Sequence, residues 1–532
     1  MSIFDLFKRK NNSADTADAT AATNTATTKS LYDLISESIV DGELPRDFSL
    51  PSDNTNGLMF ADGAMDGIGI FHTAGQNADE NIKNKMGEAL RAAAAGDNNK
   101  AEALFTELGK AARARSAIDD FQKYIMEHRE ELDPTNVYKY AVYAVTRSFD
   151  KECVKYGMSI LELFNTDTNE ELKKVVRTLG LSEEFSQFAM FIMLTWQDGN
   201  NELFRMAQKV HGWGRIEAIE KLKPETEEIK RWLLLDGVHN NIIPAYSAYE
   251  CWSKSGAEEV LKAGPTKEEF EGIRDIIEGL LDEGPCAGIS LLDNAEDMLV
   301  RFLEQAKELS ESAGDYYVIS NIKATYEDDE NADPKIMAMC NELLGSDKCK
   351  ALVAEAVKRG EYVDMAQEMG LDYREDVFCA IKADVKGLSH LCIYLMGDPE
   401  YRDKVLELFR KELSLPDMKT APGTSLGLGQ QYWKQSVAEF VLQGLKAYPL
   451  EGIDFVETVL QSEPIRCRNM ALNTLESWVK EKSTPLSELL PEIHKLLLTL
   501  RELEPDEKVK KRMDELVSGK TEFERGFRIQ RK

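Results

Sequence analysis

Arg468-Asn-Met-Ala-Leu-Asn-Thr-Leu475 is the stretch on which the predicted fold depends, because Arg215-Ile-Glu-Ala-Ile-Glu-Lys-Leu222 repeats its Arg, Ala and Leu at the same spacing. On a helix, the Leu enters a core and the small Ala lets a second helix cross closely. The Arg of the first turn is expected to stay near solvent and to pair with an acid. The two copies predict paired, closely packed helices. Because the motif is short, two ordinary amphipathic helices are the alternative.

Apolar residues recur at the helical period i, i+3, i+4, i+7 through most of the chain after residue 78. Short breaks such as Asp133-Pro134 and Asp333-Pro334 separate the periodic segments, and no convincing alternation of β-branched residues is present. The pattern predicts an all-α fold, an irregular α-solenoid of paired antiparallel helices. The clearest stripes are Ala101, Leu104, Phe105, Leu108 and Ala112; Leu292, Ala295, Met298, Leu299, Phe302, Leu303 and Ala306; and Leu486, Leu489, Leu490, Ile493, Leu496, Leu497 and Leu500.

The Arg-x-x-Ala-x-x-x-Leu pattern resembles the second helix of HEAT repeats, and the resemblance implies a HEAT/armadillo-like stack. No fixed period extends over the whole chain, so we expect degenerate repeats. The predicted divisions are a disordered N-terminal tail (1–30), an irregular Gly- and Asp-rich cap (31–77), a helical repeat array (78–414), a loop (415–429), C-terminal HEAT-like helices (430–519) and a basic tail (520–532).

Within the cap, Leu31 to Val40 is expected to form one helix. The glycines that follow it exclude a long helix. Leu58–Ala61 and Ile68–Phe71 are candidate short strands around an Asp62-Gly63 turn.

Composition narrows the classes of partner. The chain has 532 residues and a formal net charge of −29, and such a field repels phosphate backbones. We therefore expect a protein or peptide partner and no nucleic acid. A role like that of the HEAT-like DNA-repair glycosylases would need a basic groove formed by Arg91, Lys100, Lys110, Arg113 and Arg115.

The expected location is the cytoplasm. The eight cysteines form no CxxC pair, no apolar run is long enough to span a bilayer, and the N-terminus is not a signal peptide. Ile3, Phe4, Leu6 and Phe7 form a short apolar patch before Lys8-Arg-Lys10. That patch is a candidate for weak docking on a partner or membrane, and a floppy terminus is the alternative.

Several fragments resemble catalytic motifs, but the residues around each fragment do not fit the structure that the motif requires. Gly423-Thr-Ser-Leu-Gly427 fits GxSxG, but a Pro-broken loop precedes it where a nucleophile elbow needs a strand. Gly519-Lys-Thr521 lacks the leading P-loop glycine, and Gly67-Ile-Gly69 lacks the third glycine of a dinucleotide fingerprint. We therefore predict no catalytic residue, no cofactor and no metal site, with Asp62, Asp66 and His72 as the one alternative metal cluster.

One aromatic-rich stretch is the candidate binding site. Trp and Arg commonly anchor interfaces, and glycines beside them allow a close approach. The alternative interpretation packs the tryptophans in the core. The candidate residues are His211, Trp213, Arg215, Trp232, His239, Asn240 and Asn241.

The opening Met-Ser-Ile-Phe-Asp-Leu-Phe-Lys-Arg-Lys and the segment His211-Gly-Trp-Gly-Arg-Ile-Glu-Ala-Ile-Glu-Lys-Leu222 resemble an uncharacterised family of anaerobic Gram-positive bacteria, some of whose members are labelled limonene hydroxylase. That label implies an oxidoreductase. A haem monooxygenase needs a Cys in a Gly-flanked loop, whereas Cys467 lies in a predicted helix.

The sequence therefore supports two hypotheses of different classes. The first is a non-catalytic interaction scaffold that binds a protein or peptide. The second is an enzyme or small-ligand binder, with a pocket around His211 and His239 or around Asp62 and His72.

Overall fold

The computed structural model describes residues 29–51, 61–72, 78–284, 286–329 and 332–519. Throughout these residues the regular structure is helical, with no strand and one isolated antiparallel bridge between Val40 and Glu43. The all-α prediction is therefore confirmed. Backbone contacts divide the chain into two compact units: unit 1 comprises 1–52 and 60–222, and unit 2 comprises 53–59 and 223–532. The apolar patch at residues 3–7 and the basic tail lie outside the described residues.

Unit 1 is built around one helix, α7, that is buried over most of its length. Helix α7 contacts α4, α5, α6 and α9, and all its residues from Cys153 to Leu161 are buried. Helix α1 packs on α6 and α8, and α2 packs on α5. The described helices of unit 1 are α1 Leu31–Ser38, α2 Ala64–His72, α3 Glu80–Ala94, α4 Asn98–Ala111, α5 Ala114–Glu127, α6 Pro134–Arg147, α7 Lys151–Leu161, α8 Glu170–Gly180, α9 Ser186–Leu194, α10 Gly199–Ala207 and α11 Gly212–Lys221.

Unit 2 contains the longer series of helices, with short 3₁₀ turns at 289–291, 389–394, 415–418 and 430–432. Its described helices are α12 Glu227–Leu235, α13 Ala245–Ser255, α14 Ala257–Ala263, α15 Lys267–Leu281, α16 Ala295–Leu309, α17 Ala313–Tyr326, α18 Pro334–Leu344, α19 Asp347–Val357, α20 Val363–Glu368, α21 Arg374–Ala383, α22 Val385–Leu388, α23 Pro399–Leu413, α24 Trp433–Leu445, α25 Ile453–Leu460, α26 Ile465–Lys482, α27 Leu486–Leu489, α28 Pro491–Leu503 and α29 Glu507–Val517.

Between α13 and α19, helices of unit 2 contact the next helix but one. Helices α13, α15, α17 and α19 pack in succession, and α14, α16 and α18 do the same. This alternation puts successive helices into two layers, here called the first and the second layer. The predicted stripe at Met298, Leu299, Phe302 and Leu303 of α16 is buried. The Phe302 ring of this stripe stacks on Phe270 of α15, in the other layer.

The predicted breaks between helices are N-caps. Asp133 and Asp333 each accept hydrogen bonds from the first turn of α6 and α18, and the following Pro occupies the first helical position. Proline suits this position because its missing N–H would have no partner in the helix. Asp97 caps α4 in the same way.

Three expectations about local structure are wrong. Ile68–Phe71 lies in helix α2 and not in a strand. Arg215 and Arg468 do not stay near solvent, since they are 4% and 0% exposed. The stripe that begins at Leu486 is not one helix, because Pro491 cannot donate to the preceding turn and α27 ends at Leu489.

Other expectations for the N-terminal region have mixed outcomes. The helix expected from Leu31 is present as α1, whereas the candidate strand at 58–61 lies almost entirely outside the described residues.

Among the described residues no helix is both long and apolar enough to cross a bilayer. The cytoplasmic location stays a prediction.

Candidate functional site

In unit 1, three carboxylates accept hydrogen bonds from backbone N–H groups at the beginnings of three helices. Glu152 of α7 accepts a hydrogen bond from the backbone N–H of the first residue of α5 at 2.6 Å. Glu184 accepts from the N–H of Gly63, immediately before α2, at 2.9 Å, and Glu183 accepts from the second residue of α11 at 3.1 Å. Helix N-termini attract carboxylates because their N–H groups lack partners and carry partial positive charge. Three acids from α7 and the turn before α9 thus fix the starts of α2, α5 and α11.

A buried cation holds these acids together. Lys155 of α7 is fully buried, and its Nζ lies 2.5 Å from Asp66 Oδ2, 2.5 Å from Glu184 Oε1 and 3.4 Å from Glu152 Oε1. Arg113, at the start of α5, lies 2.9 Å from Asp66. We call Asp66, Arg113, Glu152, Lys155 and Glu184 the charge cluster. Three acids and two bases share it, so removing one cation would leave buried negative charge uncompensated.

The pKa values in the charge cluster reflect burial opposed by ion pairing. Burial acts to raise the pKa of Asp66, but Lys155 and Arg113 hold that pKa below its usual value. Burial raises the pKa of Glu152, and Lys155 only partly offsets it. The pKa of Lys155 is raised, because its three carboxylate neighbours outweigh desolvation. Lys155 is therefore a fixed positive charge at neutral pH and not a proton donor.

Two acids beside the charge cluster titrate near neutrality. Burial raises the pKa of Glu183 to about 7, although the Trp213 N–H opposes this. Burial raises the pKa of Glu217, on α11, to about 8, and the nearby charge of Arg115 reduces the shift. Perturbed acids of this kind occur in functional sites more often than in ordinary surfaces.

Three predicted binding residues belong to unit 1. Trp213 and Arg215 are 6% and 4% exposed, and His211 is half-buried. A Cβ on Gly67 would lie 2.2 Å from the Trp213 indole, so helix α2 approaches this ring as closely as glycine allows. Gly212 has φ +55°, and a Cβ there would collide with the Glu183 carboxylate. A partner would reach little of Trp213 or Arg215, and their binding role stays a prediction.

The other four predicted residues belong to unit 2. Asn240 is buried, and its side chain closes a turn through hydrogen bonds with the backbone of Ile242 and Ile243. Asn241 is exposed with φ +64°, and Trp232 is half-buried. His239 is exposed and lies between two carboxylates, which raise its pKa to about 9. The seven predicted residues are thus divided between two units.

The carboxylates around His239 belong to a row of charges that extends from the end of α12 to helices α15 and α17 of the first layer. Asp236 Oδ1 lies 3.2 Å from His239 Nδ1, and Asp275 Oδ2 lies 3.0 Å from His239 Nε2. Arg274 bonds Asp275 at 2.7 Å and Asp315 at 2.6 Å, so it links α15 to α17. Each of these charges is satisfied by a neighbour.

Next to these charges lies a cavity with two carboxylates, Glu278 and Asp282, in its wall; we call it the acidic groove. A cavity of about 460 Å³ opens between α13, α15 and α17, and its walls include Pro244, Glu278, Asp282, Tyr317 and Asn321. Glu278 and Asp282 stand four residues apart, and within the described residues neither carboxylate has a hydrogen bond or an ion pair. Burial, and next the charge of Asp275, raises the pKa of Glu278. Like charges at this spacing repel each other, so a cation between them would relieve the repulsion.

The sequence fragments that resemble catalytic motifs have structural roles. Ser425 of the GxSxG fragment donates to Tyr432 and accepts from the Gly427 N–H, and its carbonyl accepts from Ile465. These bonds pin the predicted loop to the start of α26. Asp62 accepts from Lys151 and from the Leu50 N–H. Among the described residues no group of His, Cys, Asp and Glu side chains has the arrangement of a metal site; the His72 side chain is not described.

Sequence reasoning missed the charge cluster and the acidic groove. Lys155 carries a weak signal, since it is a lone charge in the run Cys153–Leu161, which is otherwise mostly apolar. Two of its three acidic partners, Asp66 and Glu184, lie 89 and 29 residues away in the chain, so no local pattern connects them to it. In the sequence, Glu278 and Asp282 are indistinguishable from acids on the solvent-exposed face of an ordinary amphipathic helix.

No protein-family model matches the chain, and no curated protein sequence matches it significantly. The resemblances to HEAT repeats and to the limonene hydroxylase family stay predictions.

Proposed function

We propose that the chain is a HEAT-like helical-repeat protein that binds a basic segment of a partner protein in the acidic groove of unit 2. The observation that carries this proposal is the pair of unpartnered carboxylates, Glu278 and Asp282, in a cavity that also has an aromatic wall.

The packing of unit 2 supports the repeat interpretation. In HEAT-like stacks each helix pair contacts its neighbours, so helices of one layer touch the next but one in sequence. Helices α13 to α19 follow this rule in both layers. Such stacks commonly present one layer as an extended binding surface, and the acidic groove runs along the first layer from α13 to α17.

The chemistry of the groove selects the class of ligand. A Lys ammonium or Arg guanidinium placed between Glu278 and Asp282 would form charge-assisted hydrogen bonds with both. The ring of Tyr317 offers a face for a cation–π contact, and the Asn321 amide offers an acceptor. A formal net charge of −29 would draw a basic segment toward the protein from a distance.

The test is equilibrium binding of a fluorescein-labelled peptide rich in Lys and Arg to the full chain, measured by anisotropy at low and physiological salt. The double variant E278Q/D282N removes both charges with little change of shape. We expect it to weaken binding about tenfold or more, because two charge-assisted contacts of about 1 kcal/mol each are lost.

The matched control is E304Q/E308Q. Glu304 and Glu308 are also acids four residues apart, but both are exposed and they lie on α16 of the second layer. This double variant removes two negative charges, as E278Q/D282N does, so it should bind the peptide within about twofold of the wild type. Equal losses in both variants would mean that only long-range attraction holds the peptide, and the proposal would be wrong.

A further inference from the structure

A second groove lies between two helices of unit 1. Helices α8 and α10 both pack on α9, and a cavity of about 410 Å³ opens beside them. Its floor contains Met193 of α9 and Met206 of α10, so we call this cavity the methionine groove. The volume lies within the range of about 300–1,000 Å³ that is usual for small-molecule pockets.

The floor of the methionine groove is apolar. Met193 and Met206 are both buried. A Cβ on Gly180 of α8 would lie 2.9 Å from Met206 Sδ and 3.5 Å from Met193 Cε, so the ends of both side chains meet against α8. The half-buried side chains of Leu181 and Ile39 also line the cavity. Because methionine adapts to irregular apolar shapes, this floor suits a flexible hydrocarbon chain.

The rim of the methionine groove is basic. Arg177 and Arg205 line it, and both bond Glu202, at 2.9 and 3.2 Å. Lys174 and Lys209 also line it, and neither has a hydrogen bond or an ion pair with any described residue. Four bases and one acid thus surround an apolar floor, in a chain whose formal net charge is −29. This local reversal of charge selects an anion as the ligand.

A tight turn after α1 lies beside Lys209. Asp41 (φ +52°) and Gly42 (φ +86°) have left-handed backbones between the bridged residues Val40 and Glu43. An Asp-Gly pair is typical of such two-residue turns. A Cβ on Gly42 would lie 3.3 Å from Lys209 Nζ, so the ammonium group lies against this turn. The same turn follows Ile39, which places the charge of Lys209 at the edge of the apolar floor.

We propose that the methionine groove binds a fatty acid. The ammonium group of Lys209 donates a charge-assisted hydrogen bond to the carboxylate of the ligand, and the charge of Lys174 on the rim attracts the same anion. The hydrocarbon chain lies on Met193 and Met206, and its removal from water supplies most of the affinity. Apolar walls with a few polar groups that fix the orientation of the ligand are typical of small-molecule sites.

The experiment is calorimetric titration of the full chain at pH 7.5 with butanoate, hexanoate, octanoate and 1-octanol. Affinity for the carboxylates should rise about fourfold for each CH₂ that enters the groove. K209Q should weaken octanoate binding about fivefold or more, because a charge-assisted contact is lost, and should leave 1-octanol within about twofold. K123Q, which removes an exposed lysine of α5, is the control and should bind both ligands as the wild type does.

A second measurement needs no binding variant. In the ¹³C-methyl NMR spectrum of the methionine-labelled wild type, octanoate should shift the signals of Met193 and Met206 and leave that of Met126 unchanged. Met126 is 51% exposed on α5, so its signal reports non-specific adsorption of the ligand. M193L and M206L serve only to assign the signals.

Several outcomes overturn the proposal. They are no binding of octanoate, affinity that does not depend on chain length, an equal loss of octanoate binding in K209Q and K123Q, an equal loss of octanoate and 1-octanol binding in K209Q, and unchanged Met193 and Met206 signals. The methionine groove belongs to unit 1 and the acidic groove to unit 2, and their ligands have opposite charge, so either proposal can fail alone.

Discussion

At the scale of single residues, Arg468 sets the arrangement of the C-terminal helices. It is fully buried and forms two hydrogen bonds with the equally buried Glu504, at 2.8 and 2.6 Å. Its remaining N–H groups donate to the backbone carbonyls of Ser462, Glu463 and Gly423. One guanidinium therefore satisfies an acid before α29, the turn before α26 and the loop at 423.

R468M tests this role. Removing the cation leaves the Glu504 carboxylate buried without a counter-charge and bonded, within the described residues, only to the Asp506 N–H, which costs about 3–5 kcal/mol. Replacing both partners in R468M/E504L removes that penalty, but the three carbonyls still lose their donor, so a cost of about 1–3 kcal/mol should remain. Urea denaturation followed by circular dichroism measures both free energies of unfolding.

The control is R410M. Arg410 bonds Asp454 with similar geometry, but both side chains are more than 40% exposed. Solvent screens such a pair, so its loss should cost no more than about 1 kcal/mol. The account of Arg468 fails if R468M is no worse than R410M, or if the double variant is less stable than R468M.

At the scale of elements, α2 is a helix that its own sequence supports poorly. Two glycines in nine residues disfavour a helix, by about 1 kcal/mol each relative to alanine. The helix forms because Gly67 lets the backbone lie against the Trp213 ring, and because Asp66 bonds Lys155 and Arg113. Tertiary contacts thus override local propensity here.

The substitution G67A tests whether the helix propensity at residue 67 or its contact with Trp213 has the larger effect on stability. Alanine should favour the helix by about 1 kcal/mol, but its Cβ would stand 2.2 Å from an indole carbon of Trp213. Overpacking of this kind costs about 1–3 kcal/mol, so we expect a net loss of stability on urea denaturation. G284A is the control, since no heavy atom lies within 4 Å of its new Cβ. An increase in stability for G67A would show that the contact with Trp213 is loose.

The helices could be predicted from sequence wherever the helical period and its caps agree, as in α4, where Asp97 caps a stripe containing Phe105 and Leu108. The period does not identify α2, because its fold depends on Trp213, almost 150 residues away. The helical period also does not show how deeply a polar side chain is buried. Arg468 was expected to pair with an acid and does, but its burial depends on α29 and a distant loop. For the same reason the charge cluster could not be found from spacing.

At the scale of the whole molecule, two electrostatic effects oppose each other. Acids outnumber bases by 94 to 65, and the excess charge repels itself throughout the folded chain. Many bases are bonded to acids nearby, as Lys262 is to Glu258 in α14. Salt weakens both effects, but not equally. The Debye length falls from about 30 Å at 0.01 M to about 8 Å at 0.15 M, so salt screens distant repulsion before it screens ion pairs in contact.

We therefore expect NaCl to stabilise the folded chain at pH 7.5. Exposed ion pairs contribute at most about 1 kcal/mol each, and buried pairs such as Arg468–Glu504 are hardly screened. Raising NaCl from about 0.01 to 0.15 M should increase the Tm by about 2–6 °C, since 1 kcal/mol shifts the Tm of a large domain by about 2–4 °C. At pH 5, close to the isoelectric point of about 4.8, the net charge is small and the same salt should have little effect. Scanning calorimetry at both pH values provides the measurement. A fall of the Tm with salt at pH 7.5 would mean that the ion pairs outweigh the repulsion, and an equal rise at pH 5 would mean that net charge is not the cause.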